Sequence, residues 1–416
     1  MHGLEAPGHP ALAHRGKNRY NSGETIGKGG HRMQEKSGRR MRAYRSRTEA
    51  KHPLRRWLVL LGIVAALIGG ILLIRALSRE AGISAQVLPC RASDDVTVFG
   101  DSILYYDNSN IYCLNGGGGI RWTFPVGANA KFSVSATHMV AWNGAQLYIV
   151  DSGGRSTYTE TMDSTVQFAR IGSRYCAVVI GDDTEPTLLI KNLDGTQADF
   201  EREEYSGMFI LDAGFYGDSG QYLWTLAYDY YGVAVNTVLN TYQVAKMNTG
   251  KVNLTNFLAY KVLWENNHLR VVTTQQMYRY DYKAVIDNGG TQLVYGWQFE
   301  GADIPEHGDA RILMVRTSEI DGTDRRLTTL RVFTGDDEER YNLSVPCVGA
   351  GIRSGVIYAF SADRLYYTRM PGKKFRAELL PLPEGKEISA LLGITSGNRA
   401  VVACTDGSVY SITLPK

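Results

Sequence analysis

His138–Glu160 reads HMVAWNGAQLYIVDSGGRSTYTE. A mostly apolar run, His138–Asn143, reaches the turn Gly144-Ala145, and a second run, Gln146–Asp151, leaves it. Ser152–Glu160 then opens with a Gly-rich turn and closes as a third run, while Lys131–Ala136 leads in from upstream. Val, Ile, Tyr, Thr and Trp favour strands because branched and aromatic side chains pack well on a pleated, half-buried surface. Gly, Asn, Asp and Ser supply the turns between them. The stretch therefore reads as four short antiparallel strands in about 40 residues.

The same unit recurs. Paired strands are expected at Ser102–Asp107 and Asn110–Asn115, at His138–Asn143 and Gln146–Asp151, and at Tyr175–Ile180 and Thr187–Asn192. Further pairs follow at Tyr222–Ala227 and Thr241–Met247, at Leu269–Thr274 and Met277–Lys283, and at Arg311–Arg316 and Leu327–Phe333. The last two are Val356–Phe360 with Arg364–Thr368 and Arg399–Cys404 with Ser408–Thr413. The second strand of most pairs carries an apolar residue (Thr at 241) followed by a Tyr, at Tyr112, Tyr148, Tyr242, Tyr278, Tyr366 and Tyr410. Third strands are expected within Gly116–Phe124, Asp194–Phe200, Thr249–Phe257 and Gly372–Leu379. No segment after Leu77 carries a helical period.

Four strands per unit, repeated, define an all-β β-propeller, in which each blade buries a face on the next. Eight blades over residues 85–416 are favoured, with seven plus an insertion as the alternative count. A pair of β-sandwich domains is the competing fold. The Tyr rings are expected between blades, hydroxyls toward the rim. The eighth pair leaves no room for an outer strand, so Ala85–Leu88 is expected to supply it and close the ring, which removes exposed edges.

Upstream lies Trp57–Ile74, WLVLLGIVAALIGGILLI, 18 residues without a charge, Asn, Gln or Pro. As a helix it spans about 27 Å, close to the hydrocarbon thickness of a bilayer. Residues 57–77 are read as one transmembrane α-helix, an uncleaved signal-anchor, and 78–84 as a linker. Eight Lys and Arg lie in residues 37–56 and three in residues 75–94. That bias puts the N-terminus in the cytoplasm and residues 85–416 outside the membrane. Gly62, Ala66 and Gly70 fall on one helix face, where small residues let a second helix approach, so a homodimer through the span is one reading and simple lipid filling the other.

Residues 1–56 hold 14 Lys and Arg against four Asp and Glu. The tail lacks apolar periodicity and is read as disordered and cytoplasmic, since it cannot bury enough surface to offset ordering entropy. Its basic run beside the membrane attracts anionic lipid; nucleic acid is not expected as a partner. Met33 and Met41 are alternative starts that keep this basic flank. Gly27-Lys28-Gly29-Gly30 fails the spacing of a phosphate-binding loop.

No catalytic, cofactor-binding or metal-ligating set is legible. His138, His268 and His307 stand in different units, without zinc-site spacing or a nucleophile elbow. Five Cys (Cys90, Cys113, Cys176, Cys347 and Cys404) are scattered and odd in number, so at least one is unpaired within the chain. Cys113, Cys176 and Cys404 lie in apolar strands as small core residues. Asp182-Asp183 and Asp336-Asp337 read as solvated turns. The clearest insertion is Tyr228–Asn240, YDYYGVAVNTVLN, where Tyr228, Asp229, Tyr230 and Tyr231 are the candidate partner-binding residues; packing of the hairpin on its neighbour is the plainer reading. Tyr278, Tyr280 and Tyr282 alternate and would share one strand face.

Ile111–Phe124, IYCLNGGGGIRWTF, resembles a quinoprotein-type blade at Tyr112, Leu114, Gly118 and Trp122. The quinone and calcium features of such dehydrogenases map nowhere on this chain, so their activity is not implied. From about residue 50 to 416, the layout of basic tail, single span and propeller, with the hairpin Leu223–Gln243, resembles a family of single-pass, WD40- and quinoprotein-like propellers of Gram-positive bacteria that carries only a domain-of-unknown-function label. The resemblance implies an envelope location and no known activity. The expected function is a non-enzymatic scaffold that engages an envelope protein. Recognition of cell-wall glycan or peptide through the aromatic insert is the alternative, and an enzyme at the central mouth is the third reading.

Overall fold

The computed structural model describes residues 61–70, 82–201, 203–229, 231–234, 236–287, 289–320 and 324–416. Residues 61–70 are helical and belong to a unit separate from residues 76–416. The rest of the 57–77 stretch, the tail 1–56 and residues 78–81 lie outside the described residues. Among the described residues no helix is long and apolar enough to cross a membrane.

The second unit is a ring of eight four-stranded antiparallel sheets. In chain order the blades are residues 95–125, 131–161, 166–201, 208–255, 259–293, 297–347, 349–379, and 388–413 with Ala85–Arg91. Blade 8 is closed by that N-terminal strand, which pairs Ala85 with Ile412 and Val87 with Tyr410. The expected closure at 85–88 holds and extends to Arg91. Leu88 and Cys90 pack with Val401 and Val409 against Ile103, Tyr105 and Leu114, so the seam between blades 8 and 1 has its own apolar core.

Period-two side-chain alternation builds the remaining interfaces. All six residues of Tyr175–Ile180 are buried. Cys176, Val178 and Ile180 pack on blade 2, whereas Tyr175, Ala177 and Val179 pack on blade 4. The apolar–Tyr pairs follow the same rule. Tyr112, Tyr148, Tyr242, Tyr278, Tyr366 and Tyr410 each face the preceding blade. Ile111, Leu147, Met277, Leu365 and Val409, one residue earlier, face the following one. Each fully buried aliphatic side chain contributes roughly 1.5–3 kcal/mol, and every interface between blades holds several.

Aromatic residues of one outer strand also cap a glycine turn of the next blade. The Trp122 indole N–H donates to the Ser152 carbonyl (3.0 Å), and a β-carbon on Gly154 would strike its ring. Tyr158 stands likewise over Gly195. Both glycines have positive φ, +81° and +84°, so bulk and backbone require Gly there together.

Two expectations are corrected. In blade 4 the strands are Tyr222–Asp229 and Asn236–Gln243, not a pair ending at Ala227 and starting at Thr241. Most of the supposed insertion is therefore an extended hairpin, with Ala227 paired to Val238 and Tyr228 to Thr237. In blade 5 the strand ends at Tyr280, so Tyr282 leaves the shared face and is exposed while Tyr280 is buried. Asp281 accepts backbone N–H bonds from Lys283 and Val285, and that turn ends the strand.

Candidate functional site

The strand order divides the turns between two ends of the ring. Turns between second and third strands share one end with the crossings from blade to blade, as the bonds Val126 N–H to Ser109 O (3.1 Å) and Met162 N–H to Ala145 O (2.8 Å) record. The other turns share the opposite end, where Ser396 N–H reaches Gly100 O (2.8 Å) and Met370 N–H reaches Gly355 O (2.9 Å). The chain enters here, with Thr413 N–H bonded to Ser84 O at 2.9 Å. We refer to the far end and the entry end.

The far end holds the sequence-predicted tyrosines. Tyr228 and Asp229 close the second strand of blade 4 and are half-buried. The Asp229 carboxylate accepts the Tyr231 N–H (3.0 Å), which shapes the turn. Tyr231 is 78% exposed beside Gly207, and Val233 is fully exposed. Tyr230 lies outside the described residues. Leu258 and Tyr295 (73% exposed), in the crossings that leave blades 4 and 5, add apolar surface at this same end. The helix-face residues Gly62, Ala66 and Gly70 lie in the separate unit, and Gly62 and Gly70 have open space where a β-carbon would stand.

The entry end carries a feature that sequence reading missed. Three adjoining clefts of about 300, 340 and 420 Å³ share Arg369 in their walls. Arg353, Lys374, Arg376 and Lys416 line two of them over a floor that includes Tyr367 and Tyr358. The Tyr358 hydroxyl donates to Pro415 O (2.7 Å), which fixes the chain beside the clefts. Lys373-Lys374-Phe375-Arg376 was the only local signal, because the other cations come from separate turns that the ring brings together.

The innermost strands supply mixed chemistry. Arg170 of blade 3 donates to Asp212 of blade 4 (2.7 Å) and lies over the Phe168 ring. Lys261 lies over Phe299, and the Tyr260 hydroxyl accepts the Phe299 N–H (3.1 Å). His138, His268 and His307 stay apart, on blades 2 and 5 and in a turn of blade 6. Among the described residues no group of three or more His, Cys, Asp or Glu could hold a metal ion. All five cysteines are buried and unpaired. Burial pushes the Cys90 thiol up to about 11 and those of Cys176 and Cys347 to about 12, which disfavours the thiolate.

One polar network is sealed between blades 5 and 6. Arg270, 1% exposed, donates to Glu265 (2.6 Å), Gln292 (3.0 Å) and Gly335 O (3.2 Å). The second Glu265 oxygen accepts the Ala310 N–H (2.9 Å). Each charge is paired and hydrogen-bonded, as burial requires.

The geometry defines the class: an eight-bladed β-propeller. No protein-family model matches the chain, and no characterised protein matches it by sequence. Solved structures do. Sqt1 of Saccharomyces cerevisiae is 8% identical with a TM-score of 0.53, covering 80% of this chain and 100% of that one. The C-terminal WD40 domain of Sif2 is 11% identical with a TM-score of 0.51, covering 80% and 99%. BamB of Moraxella catarrhalis is 11% identical with a TM-score of 0.48, covering 80% and 98%. At these identities the likeness to Sqt1 and Sif2 speaks for the fold alone.

Proposed function

We propose that this protein is a membrane-anchored, extracytoplasmic propeller that acts as a non-enzymatic protein-interaction scaffold at the cell envelope. The anchor reading draws on the uncharged 18-residue stretch Trp57–Ile74 and on the eight-to-three bias of basic residues around it. The interaction reading is carried by one observation, the exposed apolar side chains Tyr231, Val233, Leu258 and Tyr295 at the far end of blades 4 and 5. Exposed apolar side chains on presenting turns suit a docking site, and Tyr is a frequent anchor in such sites. The propeller is suited to the task because its closed core holds the presenting turns rigidly.

A photo-reactive amino acid at Tyr231 of the full chain tests this in intact cells. The expected result is a covalent adduct with a distinct protein, absent when the same probe replaces Asp218 at the entry end. Adducts only with the protein itself, or equal adducts from both positions, would overturn the reading. An adduct with polysaccharide would favour cell-wall recognition instead.

A further inference from the structure

The cations around the entry-end clefts share a property. Arg353, Arg369, Lys374, Arg376 and Lys416 make no ion pair among the described residues. Elsewhere on the ring cations are commonly matched, as in Arg121–Asp101, Lys251–Glu204 and Arg340–Glu338. A sixth cation, Arg399, sits at the seam on the same end. It is held by Ser411 Oγ (2.8 Å) and Thr413 Oγ1 (2.9 Å) rather than by a carboxylate.

The acids nearest the clefts are largely committed. Asp303 accepts from Arg311 (3.0 Å) and from the Gly355 N–H (2.9 Å). Glu339 accepts from Lys373 (3.1 Å) and from the Tyr341 hydroxyl, which holds its carboxyl below the usual range. Asp337 stands in the wall of the cleft on the blade 6 side, and Asp336 is taken by Arg279 (2.9 Å). Positive charge is therefore concentrated on blades 7 and 8, and negative charge returns at blade 6.

Location supplies the second argument. Blade 8 is where the chain enters, through Ser84 against Thr413. Residues 78–84 separate that point from the expected membrane span, and seven extended residues reach about 25 Å at most. With residues 57–77 in the bilayer, as proposed above, a tether of that reach would keep the entry end near the headgroups at high effective concentration.

We propose that the unpaired cations of blades 7 and 8 dock the entry end on anionic lipid headgroups, leaving the far end turned away from the bilayer. This rests on the anchor reading above. Lys and Arg near a negatively charged leaflet are attracted to it, and the attraction is screened by salt. Open, shallow clefts rimmed by flexible cations suit a lateral field of phosphates, each of which satisfies one or two donors.

The test uses the full chain in lipid nanodiscs, one set of phosphatidylcholine and one containing phosphatidylglycerol. Backbone hydrogen exchange is read at 353–355 and 370–376. Exchange there is expected to be slower by on the order of threefold or more in the anionic discs, to recover in about 0.5 M salt, and to lose its lipid dependence in Arg353→Glu/Arg369→Glu. That variant alters exposed and half-buried side chains, so its thermal midpoint and the exchange at blade 3 serve as folding controls. Equal exchange in both discs by disc-bound protein would overturn the headgroup contact and leave the anchor standing. Failure to co-purify with either disc would remove the anchor, and the proposal with it. Protection by inorganic phosphate added to neutral discs, matching that in anionic discs, would assign the clefts to a soluble anion and overturn the lipid reading.

Discussion

At the scale of single residues, burial decides reactivity. All five thiols are buried, and Cys90, Cys176 and Cys347 are pushed well above their ordinary value by desolvation. A thiol reagent at pH 8 is therefore expected to titrate almost none of the five cysteines in the native protein and all of them in guanidinium. Rapid native labelling of two or more would contradict this packing. Arg270 and Glu265 pose the opposite case, charges sealed where water cannot compensate. Arg270→Met leaves Glu265 unpaired and is expected to cost about 3–5 kcal/mol in denaturant unfolding. Arg270→Met/Glu265→Leu is expected to recover part of that loss, because the orphaned charge goes too. The small core role of Cys113, Cys176 and Cys404 was legible from their apolar strands. The Arg270 network was not, because Glu265, Gln292 and Gly335 are brought together by the junction of two blades and by no local pattern.

At the scale of elements, the ring depends on the sheet that joins its first and last strands. Ala85–Arg91 is first in sequence and outermost in blade 8, and its Leu88 and Cys90 bury the seam with blade 1. Deleting residues 85–91 is expected to expose the edge of Ser408–Thr413 and to lower the thermal midpoint by more than 5 °C, about the shift that 3–4 kcal/mol produces in a domain of this size. An unchanged midpoint would mean that the ring holds without this closure. The far-end turn should behave differently. Tyr231→Ala and Val233→Ser remove exposed side chains and are expected to leave stability within about 0.5 kcal/mol, so a lost adduct or partner would be read as lost contact. Most strand pairs were legible because alternation and turn chemistry agree, as at His138–Asp151. Blade 4 misled because Asn236–Asn240, VLN flanked by polar residues, looks like a loop. Thr237–Asn240 is held as strand by four cross-strand partners, Thr225 to Tyr228.

At the scale of the whole molecule, the eight interfaces repeat one geometry, and the six repeat tyrosines all turn toward the preceding blade. The eight recurring strand pairs favoured eight blades over seven from sequence, and the ring has eight. The two ends were not legible, because a turn's end depends on strand order and its neighbours on ring closure. Arg353, Arg369 and Lys416 are 16 and 47 residues apart in sequence and line shared clefts. The cationic clefts of blades 7 and 8 at the entry end and the exposed tyrosines at the far end give the proposed tethered scaffold a direction: one end toward the bilayer, the other toward a partner.

The proposed display of this ring outside the membrane is tested most directly by labelling intact cells with a membrane-impermeant maleimide. The buried native thiols keep the background low. Val233→Cys, fully exposed at the far end, is expected to label in intact cells, and Ser22→Cys in the basic tail only after permeabilisation. Labelling of Ser22→Cys in intact cells, with Val233→Cys protected until lysis, would contradict the account.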